Sequence, residues 1–175
     1  MKKDKMIKLT VSAILSSLSV VILYIGCMTP LSYTAVALVS LATVFAVIEF
    51  GGKFPFLIYA VTSVLSLLIV HEKSTALFYV LFFGYYPICK AVFERLHYII
   101  SWILKASVFN TALLIIITVS VYILHLEDTG LEMRLVVILL GNLTFVLYDI
   151  ALNKLITLYL VKIRAAFKLK DYFEN

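Results

Sequence analysis

Two cysteines, three prolines, six glycines and one tryptophan are all that the 175 residues contain of those types, and charged residues make up only 14%. Cys27 and Cys89 both sit inside apolar stretches, at no spacing that suggests a metal knuckle or a disulfide framework. Each reads as a buried, inert thiol. Catalytic signatures are also missing. "HEKST" has the first two residues of a zinc-protease motif in His71 and Glu72, but no second His four positions on. The histidines His71, His97 and His125 lie on three separate loops, and there is no G-x-S-x-G, no phosphate-binding glycine loop and no carboxylate cluster. These absences exclude an intrinsic ATPase. They lead us to expect a non-enzyme with no cofactor and no metal.

Apolar side chains are abundant. Hydrophobic residues make up 63% of the chain and mean hydropathy is +1.09, against about 45–50% apolar residues in soluble domains. A water-soluble core of this size cannot cover that much apolar surface, so the chain is expected in a bilayer. The formal charge of +5 then says little about nucleic acid, because in a membrane protein the placement of charge matters more than its sum.

A spanning helix needs about 20 mostly apolar residues. The pattern predicts an all-α membrane protein with six such helices, over about 7–28, 34–50, 55–70, 75–93, 99–124 and 131–161, in a single integral membrane domain over 1–175. The first stops at Thr29-Pro30, and the tight Gly51-Gly52 turn makes a hairpin of the second and third. The start "MKKDKMIK" resembles a signal peptide, but the apolar run Ile7 to Met28 exceeds a signal core and no small-x-small site follows it. "YIGC" has Tyr24 where a lipoprotein box usually has Leu. A retained first helix is the expectation.

Charge placement orients the bundle. With both termini cytoplasmic, the inner side carries Lys2, Lys3, Lys5, Lys8, Lys53, Lys90, Arg95, Lys105, Lys154, Lys162, Arg164, Lys168 and Lys170, while only Lys73 and Arg134 lie outside. That is a consistent positive-inside bias. In the fourth helix, "ALFYVLFFGYYPICKAVFERLHY", Pro87 cannot donate to the Phe83 carbonyl, so a bend is expected there, loosened by Gly84. Beyond it Lys90 and Arg95 are placed to reach head groups or a partner, and a kink that only improves packing is an equal reading.

Polar residues inside apolar helices are costly and therefore informative. Glu49, Asn110, Asp149 and Asn153 form a candidate intramembrane network, with Asn142, Asp149 and Asn153 on one helical face and Lys90 as a partner for Glu49 or Asp149. Inter-helix hydrogen bonding and an ion or proton path both fit it. Near the outer interface Tyr24, Tyr33, Tyr79 and Tyr122 fit an aromatic belt or the wall of a pocket. On the first helix Ser12 and Ser16, and Ala13 and Ser17, stand four apart. Such spacing builds a smooth face for close helix packing, internal or with a partner.

With six helices, two cytoplasmic ends and this small-residue element, the whole chain resembles the substrate-binding S component of an energy-coupling factor transporter. The family's Ala-x-x-x-Ala element on helix 1 is matched by Ala13-x-x-x-Ser17, with Ser in place of the second Ala. The resemblance implies a multi-pass protein of a bacterial plasma membrane that captures a vitamin-like molecule on the outer side. It implies partnership with a transmembrane coupling subunit and two ATPase subunits, which supply the energy. Tyr33, Tyr79, His125 and Asn142 are then candidate substrate walls, and Ala13, Ser17, Lys90 and Arg95 the candidate partner interface. Nickel and cobalt types need an N-terminal Met-His, whereas this chain begins Met1-Lys2-Lys3. The outer loops carry Lys73 and Arg134 against Glu72, Glu127, Asp128 and Glu132, a net of −2 that leans away from a polyanionic ligand. The competing class is a non-catalytic membrane scaffold similar to the rod-shape-determining D protein of cell-envelope morphogenesis.

Overall fold

Long apolar runs interrupted only by short Gly-, Pro- or charge-bearing turns leave the backbone to pair with itself, and it does so as helix. The computed structural model describes residues 2–122 and 130–164, and every regular element among them is helical. We number six helices: α1 (Lys2–Cys27), α2 (Ser32–Glu49), α3 (Phe54–Ile69), α4 (Lys73–Phe93), α5 (Tyr98–Tyr122) and α6 (Gly130–Leu158). Five are long and apolar enough to cross a membrane. The exception is α3, whose 16 residues span only about 24 Å at 1.5 Å per residue. At the other extreme, α1 begins in the charged "KKDK" segment, since Lys and Asp are compatible with helix even where they cannot enter an apolar phase.

The chain separates into two compact units, Met1–Leu126 and Glu127–Asn175. In the first, α1 packs on α2 and α3, and α4 meets α2, α3 and α5. Its apolar core joins Leu23 of α1, Val36 and Val39 of α2, Val70 after α3, and Ala76 and Tyr79 of α4. The connections are short and capped by their own residues. Thr29 Oγ1 donates to the Gly26 carbonyl at 2.9 Å, closing the end of α1. Gly51 and Gly52 have φ of 60° and 57°, a conformation that strains any side-chain-bearing residue, and the Gly51 N–H reaches back to the Ala46 carbonyl at 3.0 Å. Lys73 Nζ bonds the Leu67 and Val70 carbonyls at 2.8 and 3.0 Å, a cation set at the C-terminal end of α3 where the helix dipole favours it.

α4 is not uniform. After an α-helical start it makes a π-turn over Tyr79–Phe83, turns at Gly84-Tyr85 and resumes at Tyr86. The irregularity lies upstream of Pro87, which occupies the first turn of the resumed helix, where a missing N–H costs nothing. In the second unit α6 runs into another π-turn, Tyr159–Ile163. Its Asn142, Thr144 and Thr157 side chains donate to the carbonyls four residues back, at 2.8 to 2.9 Å.

Candidate functional site

The π-turn has a structural cause and a chemical consequence. Gly84 N–H bonds the Tyr79 carbonyl at 2.8 Å, five residues back, and so leaves the Val80 carbonyl without the donor an α-helix would give it. Tyr59 of α3 fills that role, its hydroxyl donating to Val80 O at 2.9 Å. Gly84 allows the approach: a Cβ there would sit 2.6 Å from the Tyr59 ring. Tyr59→Phe should therefore lower stability by about 1–2 kcal/mol, read as a lower thermal unfolding midpoint. An unchanged midpoint would mean the hydroxyl does not hold the turn.

Tyr79, the first residue of the turn, is fully buried. Its hydroxyl looks toward those of Thr43 on α2 and Thr62 on α3, also fully buried, but makes a well-formed hydrogen bond with neither. Tyr33 lies on the exposed edge of α2, its ring set edge-on at 5.1 Å against Phe78, the residue before Tyr79. Of the other two candidate wall residues, Asn142 is in the second unit, half-buried, and His125 lies outside the described residues.

At the other end of α4 charge collects. Lys90 is buried rather than reaching outward, and its Nζ lies 2.6 Å from Glu94 Oε1. Lys105 of α5, also buried, approaches the same oxygen at 3.1 Å, with its Nζ 5.5 Å from the centre of the Trp102 ring. One carboxylate thus bridges two ammoniums and ties the end of α4 to the start of α5. Partial burial alone would raise the Glu94 carboxyl, but hydrogen bonds from Lys90 and Lys105 and their charges outweigh it and hold it below the usual carboxylate range. Arg95 is exposed beside this cluster.

Of the polar residues expected inside the apolar helices, the first unit holds buried Glu49 and half-buried Asn110, which donates to the Ala106 carbonyl at 2.9 Å, and the second holds buried Asp149 and exposed Asn153. Among the described residues no group of three or more His, Cys, Asp or Glu could hold a metal ion.

α1 divides its small residues between two faces. Ser12, Ser16 and Ser19 are buried, whereas Ala13 and Ser17 are exposed. The Ser17 hydroxyl donates to the Ala13 carbonyl at 3.0 Å, so the outward face is both flat and satisfied in its hydrogen bonding.

Sequence reading passed over Thr43, Thr62, Tyr59 and Lys105 as contributors. The one available signal was their polarity inside apolar runs, and Ser and Thr mute that signal because they ordinarily bond their own helix. Comparison with family models, with curated proteins and with solved structures finds no match to this chain.

Proposed function

We propose that this chain is the substrate-capturing membrane subunit of an energy-coupling factor importer for a vitamin-like small molecule, with both termini cytoplasmic. Residence in a bilayer is supported by side chains such as Leu68 and Leu139, 73% and 71% exposed. Such residues at this density are stable only against an apolar solvent. The observation that carries the reading is the outward face of α1. Ala13 and Ser17 are turned away from α2 and α3, the helices that α1 packs on, so contact with those two does not occupy them. In lipid, helices associate through close packing rather than hydrophobic drive, and a flat face with no unmet hydrogen bond suits that contact. The coupling subunit is the partner this face would take, and exposed Arg95 at the same cytoplasmic side is available to it. Two ATPase subunits would supply the energy, and the outer ends of the helices the capture site.

The test is the double variant Ala13→Trp/Ser17→Trp. Co-purification with a tagged coupling subunit and its ATPases should be lost, while the isolated variant keeps the parent's thermal midpoint. Normal assembly by a folded variant would remove the coupling face. Unfolding of the isolated variant would make it internal packing. A scaffold would show no captured small molecule by mass spectrometry of the purified protein; an importer subunit should carry one.

A further inference from the structure

Hydroxyls in the apolar helices of this protein have a habit. Thr10, Thr118, Thr144 and Thr157 each donate to the carbonyl four residues back, at 2.8 to 2.9 Å. Ser12, Ser16 and Ser17 do the same at 2.7 to 3.0 Å. This bond needs no partner from elsewhere, which is why Ser and Thr are tolerated in such helices.

Thr43 and Thr62 depart from it. Both are fully buried, midway along α2 and α3, and neither hydroxyl has a hydrogen-bond partner. Both lie close enough to the hydroxyl of Tyr79, itself fully buried, to act on it, yet none of the three hydroxyls makes a well-formed hydrogen bond. Three helices thus bring three hydroxyls together, and two of them give up a bond to their own backbone to be there. An unmet buried hydroxyl costs about 1–3 kcal/mol, so three at one point call for a common partner. That partner must both donate and accept, because each hydroxyl can do either. It must be neutral, because the groups acting on Tyr79 are Thr43, Thr62 and Tyr59, none of them an acid or a base at neutral pH. It must also be small, because the three residues are wholly enclosed. A water with two to four polar partners meets all three requirements.

We propose that Thr43, Thr62 and Tyr79 form a buried hydration site that holds one water molecule against the first residue of the α4 π-turn. The site is independent of any partner subunit and of the identity of a transported molecule. Hydroxyls that face one another without bonding directly are bridged by such a water at nearly the strength of a direct bond. The water also sits where α4 leaves regular geometry, beside the Val80 carbonyl that Tyr59 caps on the next residue.

The sign of a stability change tests this. If the hydroxyls share a water, Thr43→Val, Thr62→Val and Tyr79→Phe should each lower the thermal unfolding midpoint of the full chain in lipid nanodiscs by about 2–4 °C. Thr43→Ser, which keeps the hydroxyl, should stay near the parent. Pairs should cost less than the sum of singles, because they lose one shared partner. If the hydroxyls have no water, each apolar replacement removes an unmet polar group, and midpoints that stay level or rise would overturn the site. Pulsed hydroxyl-radical labelling gives a second reading. Tyr79 should be labelled faster than Tyr86, which is equally buried on the same helix, and equal labelling would also overturn the site. Midpoints should be the same in sodium and potassium salts at equal ionic strength. A sodium-specific gain that Thr43→Val abolishes would show the occupant to be a cation and end the neutral assignment.

Discussion

Substitution of Gly26 by leucine is expected to separate α1 from α2 and to be among the most destabilising single changes in the chain. Gly26 is buried at the end of α1, and a Cβ placed there would overlap Cβ of Ala35, with α2 beginning only a short turn away. The nearest atom is itself a Cβ fixed to the backbone, so it cannot move aside as a flexible side chain would. Overpacking of this kind costs about 1–3 kcal/mol for one or two methylenes, and leucine adds more than that to a site with no space. Gly26→Ala should fall inside that range and Gly26→Leu beyond it, measured as loss of thermal midpoint in detergent. The exchange Gly26→Ala/Ala35→Gly, which moves the methyl from one helix to the other, should recover most of the loss. If the exchanged pair is as unstable as Gly26→Ala alone, close approach of these two helices is not what the glycine provides.

Removing the charge of Glu94 is expected to be nearly as costly, and the cost should depend on pH. Glu94→Gln leaves the Lys90 and Lys105 ammoniums without their shared carboxylate, both lysine side chains being 5% exposed or less. Breaking a fully buried pair costs about 3–5 kcal/mol. The Glu94 side chain is 42% exposed, so solvent screening reduces this to roughly 2 kcal/mol. Because the folded protein holds the Glu94 carboxyl below its ordinary value of 4.5, the stabilisation is fully present above that value. It is lost as pH falls from there through the lower folded value, where the carboxylate takes a proton. The parent should thus lose more stability than Glu94→Gln between neutral and strongly acid pH, and the two midpoints should converge. A constant difference across that range would show that charge at Glu94 is not what joins α4 to α5.

Much of the architecture was legible because it is local. The runs that became α2, α3 and α5 are bounded by Gly51-Gly52, Pro55 and the charged "ERLH" segment, and those residues act on the chain within a few positions. Where reading by hydropathy fell short, the reason was also local. The apolar run of α1 begins at Ile7, but the helix extends back to Lys2, since hydropathy reports the solvent and helix propensity the backbone. The pair Gly84 and Pro87 marks a break in α4, and the helix does turn at Gly84-Tyr85 just before the segment that Pro87 opens. The π-turn over Tyr79–Phe83 upstream of it has no mark in the local sequence, because Tyr59 supplies from another helix the bond that such a turn needs.

Six apolar helical segments, their order, the scarcity of charge among them and the concentration of lysine and arginine at alternate connections are all written along the chain. These follow from side-chain solvation and backbone propensity, which need no distant partner. Tertiary structure alone decided that Ser12 and Ser16 turn inward while Ala13 and Ser17 turn out, although both pairs have the same spacing. It alone buried Lys90, which the sequence leaves between a cation at the surface and a partner for Glu49 or Asp149, and set it against Glu94, a carboxylate that also holds Lys105 from the next helix. It also gathered Thr43, Thr62 and Tyr79 from three helices. In each case the deciding energy is a contact between residues far apart in the chain, and no pattern along one helix encodes which face that contact will claim.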